Sequence, residues 1–255
     1  MIRLVIVLLF VVLFLIISLP IQFVEWLIGK KNMNLKMKSS LAIVNWAFRV
    51  VLFLSGTKVT ILGEENVPKD TAVVYVPNHR SFFDIIITYT RVPRLTGYIA
   101  KKEIEKVPGL NIWMRYLNCL FLDRSNPKEG LKTILQGIDK LKNGISICIF
   151  PEGTRNKQAD TFLEFKDASF KLAEKSGCPV VPISIVNSAA IFEDHFPKIK
   201  KAHVVVEYGK PVYVKDLEKE DRKNIGSYFQ KQISDLYFKN KELYFENTAK
   251  IEQKN

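Results

Sequence analysis

The sequence predicts an α/β fold, a mixed sheet covered by helices, behind an N-terminal hydrophobic helical membrane anchor. Three observations carry that expectation. Residues 4–19 and 41–55 form two long apolar stretches. From Lys58 onward, short β-branched runs alternate with helical periodicities, as in βαβ units. Polar turns follow several of those short runs directly, where ligands gather in open α/β sheets. The chain therefore divides into membrane-anchoring helices over residues 1–55 and an α/β domain over residues 56–255.

Residues 4–19 hold Ser18 as their only polar side chain, and Pro20 follows. As a helix, this run measures roughly 24 Å, short of a hydrocarbon core of about 30 Å. It exceeds a usual signal-peptide core and lacks a small-x-small cleavage site, so it is expected to be retained. Such a helix either spans the bilayer or dips in and returns. Lys30, Lys31, Lys36 and Lys38 follow it, against Arg3 alone before it. That asymmetry predicts a cell-membrane protein with its α/β domain on the cytoplasmic face. In residues 41–55, Asn45 and Arg49 share one helical face while Leu41, Val44, Phe48, Val51 and Leu52 occupy the other. This is a second anchor helix or a core helix of the α/β domain.

Strands are expected at 59–62, 72–76, 98–100, 120–122, 145–150, 180–186, 203–208 and 211–214. Helices are expected at 82–90, 110–117, 127–142 and 167–176, with a charged amphipathic helix from Leu217 that frays toward Asn255. The 127–142 helix is the clearest. Pro127 opens it, Leu131, Ile134, Leu135, Ile138 and Leu141 line one face, and Asn143-Gly144 closes it. Residues 145–150 are apolar but for Ser146, which predicts burial on both faces of the sheet. Pro182 predicts an edge strand or a bulge.

The net charge of +12 calls for an anionic partner, a membrane surface or a nucleic acid. No nucleic-acid partner is expected, because the lysines are spread along the chain without interleaved aromatics or a binding motif. Cys119, Cys148 and Cys178 lie beside apolar residues at no metal or redox spacing, and read as free thiols in a reducing compartment. His203 has no carboxylate-bearing turn. Glu193, Asp194 and His195 read as a polar loop before Pro197. No metal site is expected.

Asn78-His79-Arg80-Ser81-Phe82-Phe83-Asp84 stands between the strand at 72–76 and the helix at 82–90, with Pro77 stopping the strand. A histidine and an aspartate so placed can act as base and orienter. They can equally brace a turn and cap a helix. Phe150-Pro151-Glu152-Gly153-Thr154-Arg155 makes a second turn at a strand end. There Gly153 permits close backbone approach, and Thr154 and Arg155 offer donors suited to phosphate oxygens. An ordinary polar turn has the same composition. Phe121-Leu122-Asp123-Arg124 puts an arginine past a short strand, and Lys101-Lys102 is a basic pair past another. Alone, both read as surface charge.

In this order, the stretches resemble the PlsC-type glycerolipid acyltransferases, the family of 1-acylglycerol-3-phosphate acyltransferases. Asn78 to Asp84 is similar to the family's His-four-residues-Asp block, and Phe121 to Arg124 to its second block. Phe150 to Arg155 is similar to the third and Val180 to Ile183 to the fourth. Ala100-Lys101-Lys102-Glu103 with Pro108 resembles the segment before the second block. The likeness covers about residues 56–215 and departs from the family at Asn111, Asn118 and Ala168, where glycine is usual.

The resemblance implies transfer of a fatty acyl group to the free hydroxyl of lysophosphatidic acid, giving phosphatidic acid. His79 would be the general base and Asp84 its orienter. Arg124, Thr154, Arg155 and Lys101 would bind the acceptor phosphate, with Glu152 and Gly153 shaping the turn. Acyl-CoA or acyl carrier protein would be the co-substrate, with no resident cofactor or metal, and membrane lipids would be partners. Rival readings are another acceptor (glycerol 3-phosphate, a lysophospholipid or an aminoacyl lipid) and a non-catalytic lipid-binding protein.

Overall fold

The computed structural model describes residues 1–246. Its first element, helix α1 (Ile2–Lys31), runs unbroken through Pro20 and is nearly twice the length of the apolar run itself. Proline forfeits one bond to the carbonyl four residues back, here on the helix's exposed side. Asn32 alone separates α1 from helix α2 (Met33–Ser55), and its side chain accepts the Leu35 amide at 2.9 Å to cap α2. Arg3, near the start of α1, lies beside Gly56 at the end of α2, so the two form an antiparallel hairpin.

This hairpin is built inside out. On α1 the buried positions include Ser18, Gln22 and Glu25, while Ile17 and Phe23 are 64% and 60% exposed. A water-soluble helix would bury the second set. Ser18 accepts the Trp113 indole N–H at 3.0 Å, Gln22 donates to the Gly109 carbonyl at 2.8 Å, and Glu25 accepts from Ser39 at 2.8 Å. An apolar exterior around an inward-facing polar seam suits a lipid surrounding. α2 buries Val44, Ala47 and Val51, while Trp46 and Phe53 are exposed.

Seven strands form the sheet among the described residues: β1 (Lys58–Leu62), β2 (Val74–Pro77), β3 (Thr96–Lys101), β4 (Leu120–Leu122), β5 (Ser146–Cys148), β6 (Val180–Val186) and β7 (His203–Tyr208). Their spatial order is β1-β7-β6-β2-β5-β3-β4. All neighbours are parallel except β6 and β7. Side chains alternate across the sheet. Val73 and Tyr75 join the cluster packed with α2, α3 (Phe82–Tyr89) and α4 (Leu110–Tyr116). Val74 and Val76 join the opposite cluster with α5 (Pro127–Lys142), α6 (Lys171–Ser176) and α8 (Ile225–Lys241).

Several boundaries differ from expectation. The strand expected at 211–214 is only an isolated bridge between Val180 and Val212, followed by a 3₁₀ turn at Val214–Asp216. β6 is a central strand. Its Pro182 is tolerated because the β6–β7 register shifts by one residue between the Ile183–Tyr208 and Val180–Val212 pairs, so it sits at a bulge. The helix expected at 167–176 opens as a 3₁₀ turn, Asp167–Phe170. The C-terminal helix is broken at Asn224 into α7 (Lys219–Lys223) and α8. Its expected fraying toward Asn255 lies outside the described residues. Cys119 and Cys148 are buried, Cys178 is half-buried, and all three are free.

Candidate active site

Five strands, β6, β2, β5, β3 and β4, share one direction, so the segments leaving them emerge along one sheet edge. His79 follows β2, Glu152 to Arg155 follow β5, Lys101 ends β3 and Arg124 follows β4. The polar turns recognised in the sequence thus converge through topology.

The turn carrying His79 is held from several sides. Asn78 is buried and bonds both the amide and the carbonyl of Ile185 on β6. The His79 amide donates to Glu152 Oε1 at 2.7 Å, and its carbonyl accepts the Asn156 amide at 2.8 Å. Ser81 caps α3 by accepting the Phe83 amide at 3.0 Å. Asp84, fully buried in the first turn of α3, directs Oδ2 at His79 Nδ1 at 2.9 Å. The same oxygen accepts the amides of Arg80 and Ser81 at 2.7 and 2.8 Å.

A carboxylate bonded in this way accepts only, so Nδ1 carries the proton and Nε2 presents its lone pair. Nε2 has no protein partner among the described residues. The Phe150 ring stacks on the imidazole with centroids 3.9 Å apart and fixes its plane. The result is an imidazole oriented from behind, with Nε2 placed to take a proton from a hydroxyl.

Glu152 faces inward, away from solvent. Its second oxygen accepts the Leu163 amide at 2.9 Å. Burial pushes its carboxyl upward, while the Leu163 and His79 amides pull it down. Gly153 adopts φ +71°, the left-handed region, and Thr154 is exposed. Arg155 reaches Glu193 with Nη1 at 3.0 Å and lies 3.6 Å above the Phe82 ring.

This constellation matches a known family. A family model described as Acyltransferase fits residues 58–186. A 1-acyl-sn-glycerol-3-phosphate acyltransferase of Saccharomyces cerevisiae is 30% identical over 72% of this chain and 60% of its own length. A probable one from Mycoplasma pneumoniae is 32% identical over 73% of each. The chain belongs to the acyltransferase family. The crystal structure of the PlsC acyltransferase from Thermotoga maritima superposes with a TM-score of 0.76, at 26% identity, covering 93% of this chain and 97% of that one.

In this acyltransferase the predicted site residues fall into two groups. His79, Asp84, Glu152 and Arg155 come together around the α3 turn. Lys101 and Arg124 come together elsewhere, in a cleft of about 510 Å³ shared with Lys102, Glu103, Lys106, Asp123 and Ser125. There Lys101 pairs with Glu103 and Lys102 with Asp123, which holds the Asp123 carboxyl well below the usual range.

Asn118, where the family usually has glycine, takes φ +63°. Asparagine is among the side chains best able to adopt that conformation, so the departure preserves the turn.

Three contributors had no role assigned to them from sequence. Asn78 holds the turn to β6, Phe150 stacks on His79, and Glu193 reaches the turn from the loop after β6. The motifs contain the first two, but their tasks depend on β6 and β5 lying beside β2. Glu193 was expected to be loop.

Proposed function

We propose that this acyltransferase moves a fatty acyl group from a thioester to the free hydroxyl of 1-acylglycerol 3-phosphate, giving phosphatidic acid. One observation carries the reading. His79 is fixed through Nδ1 by a buried carboxylate and presents Nε2 at a sheet edge where an arginine also stands. Relatives named 1-acyl-sn-glycerol-3-phosphate acyltransferase align over 72%, 76% and 73% of this chain, which supports the reading.

In the proposed step, Nε2 of His79 takes the hydroxyl proton as the oxygen attacks the thioester carbonyl. Asp84 stabilises the imidazolium that forms. Collapse of the tetrahedral intermediate breaks the carbon–sulfur bond, and the thiolate leaves with the proton returned by His79. Arg155, with Gly153 and Thr154 in the same turn, receives the acceptor phosphate. Lys101 and Arg124 add positive charge along the same edge. The donor is acyl-CoA or acyl carrier protein, and the reaction needs no resident metal or cofactor.

The hairpin suits two lipid substrates. Ser18 and Gln22, midway along α1, are bonded to the α4 region of the α/β domain, which favours a helix that enters the leaflet and returns over one that crosses. The lysines beyond α1 favour the cytoplasmic leaflet of the cell membrane.

The test is thiol release by the detergent-solubilised protein, with lysophosphatidic acid and an acyl thioester, beside His79→Ala. Acceptor-dependent release that is lost in the variant is expected. Equal release without acceptor would refute the reading.

A further inference from the structure

We infer that Glu193 is a positioning residue, tying Arg155 to the first turn of α3 and aiming its guanidinium at the acceptor phosphate. The inference rests on the proposed role of Arg155. Glu193 lies beyond the residues that the family model matches, in the loop after β6.

Its carboxylate gathers three donors from two segments. Oε2 accepts the Ser81 hydroxyl at 2.6 Å, and Oε1 accepts the Phe82 amide at 2.8 Å and Arg155 Nη1 at 3.0 Å. Its side chain is 20% exposed, so solvent screens these bonds only in part. Asp84 grips the same turn from the other side through Arg80 and Ser81. The two carboxylates therefore set the imidazole and the guanidinium from one short backbone segment.

Arg155 needs such a hold. A free arginine side chain keeps rotamer freedom that binding would have to remove. Here Glu193 fixes one terminal nitrogen and the Phe82 ring covers one guanidinium face. Nε and Nη2 have no protein partner among the described residues. They form an edge with two parallel donors, the geometry that grips a phosphate through two oxygens. Glu193 thus occupies the corner of the guanidinium that phosphate does not need.

The role separates from a merely structural one by its path through Arg155. Acceptor and donor KM would be measured for wild type, Glu193→Gln, Arg155→Ala and the double variant. Binding of a short-chain lysophosphatidic acid without donor would be followed by titration calorimetry. Glutamine keeps an acceptor for Ser81 but loses the charge that holds Arg155.

We expect Glu193→Gln to raise acceptor KM about tenfold and weaken binding equally, with donor KM within about twofold. In the Arg155→Ala background the same substitution should change neither quantity. Glu193→Asp, which restores the charge, should recover part of the loss.

An acceptor KM within twofold of wild type, equal shifts in both KM values, or a full effect in the Arg155→Ala background would overturn the inference. If the wild type turned nothing over, the functional proposal would fail by itself, and calorimetry would still decide the role of Glu193. Absent or equal binding by wild type and Glu193→Gln would overturn that role.

Discussion

Asn78 and Ile185 exchange two hydrogen bonds across neighbouring strands: the Asn78 amide group donates to the Ile185 carbonyl at 3.0 Å and accepts the Ile185 N–H at 2.8 Å. Backbone pairing of β2 with β6 ends at Pro77 and Ile183. The Asn78 side chain then replaces the next rung, and its own backbone is released to turn toward the site.

Asn78→Ala leaves two buried backbone groups without partners. Each lost bond with its desolvated remnant costs about 1–3 kcal/mol, so the domain should lose about 2–6 kcal/mol. The midpoint of thermal unfolding in detergent should fall by about 4–24 °C. A melt within 2 °C of wild type would show that water replaces the side chain.

Asp84→Asn keeps the shape and can set its amide oxygen where Oδ2 accepts His79 Nδ1 and the Arg80 and Ser81 amides, but it loses the negative charge that stabilises the imidazolium. Turnover should fall by about 10²- to 10⁴-fold while the circular dichroism spectrum stays native. Activity within tenfold of wild type would remove Asp84 from the mechanism.

Gly153→Ala places a β-carbon at φ +71° with the Lys166 ammonium 3.2 Å away. The left-handed backbone costs an alanine about 1–2 kcal/mol. The turn bearing Arg155 should shift, raising acceptor KM more than donor KM in steady-state assays. Equal effects on both would place the strain outside acceptor binding.

Burial pushes the Cys119 and Cys148 thiols upward, so little thiolate forms at either even in mildly alkaline solution. Intact-mass analysis after maleimide treatment of the native protein should show at most one label, on half-buried Cys178. Raising the pH from 7 to 9 should not add a second. Denaturation should expose all three.

Leu9 and Ile16, on α1, are 57% and 58% exposed. Substituting both with glutamate should release the protein from phosphatidylglycerol-containing vesicles in flotation assays, because a charge in the hydrocarbon region costs about 2.5–3.5 kcal/mol. Unchanged flotation would mean that another surface holds the membrane.

The sequence determined by itself what periodicity and local chemistry can encode. The α5 helix is expected and found at Pro127–Lys142 because its opening proline, apolar positions and the Asn143-Gly144 terminator all lie within it or directly beside it. β4, β6 and β7 match their expected ranges, since short β-branched runs between turn residues have few alternatives. The pairing of His79 with Asp84 was legible because the five-residue spacing fits a turn and the first turn of a helix. The strand expected at 211–214 failed because strands need a partner in register, and Val212 finds one only at Val180.

Tertiary structure alone decided how the motifs group. Strand order puts β6 and β5 on either side of β2, which brings Asn78 to Ile185, Phe150 to His79 and Glu193 to Ser81. Lys101 and Arg124 nonetheless line a cleft of their own, although β3 lies directly beside β5 in the sheet. Tertiary structure also decided the hairpin, where packing turned Ser18, the one polar residue of the apolar run, inward as a seam with Gln22 beyond Pro20. The physical reason is common to these cases. Local sequence fixes which way a residue points along its own element, while contacts between residues a hundred positions apart depend on which elements pack side by side.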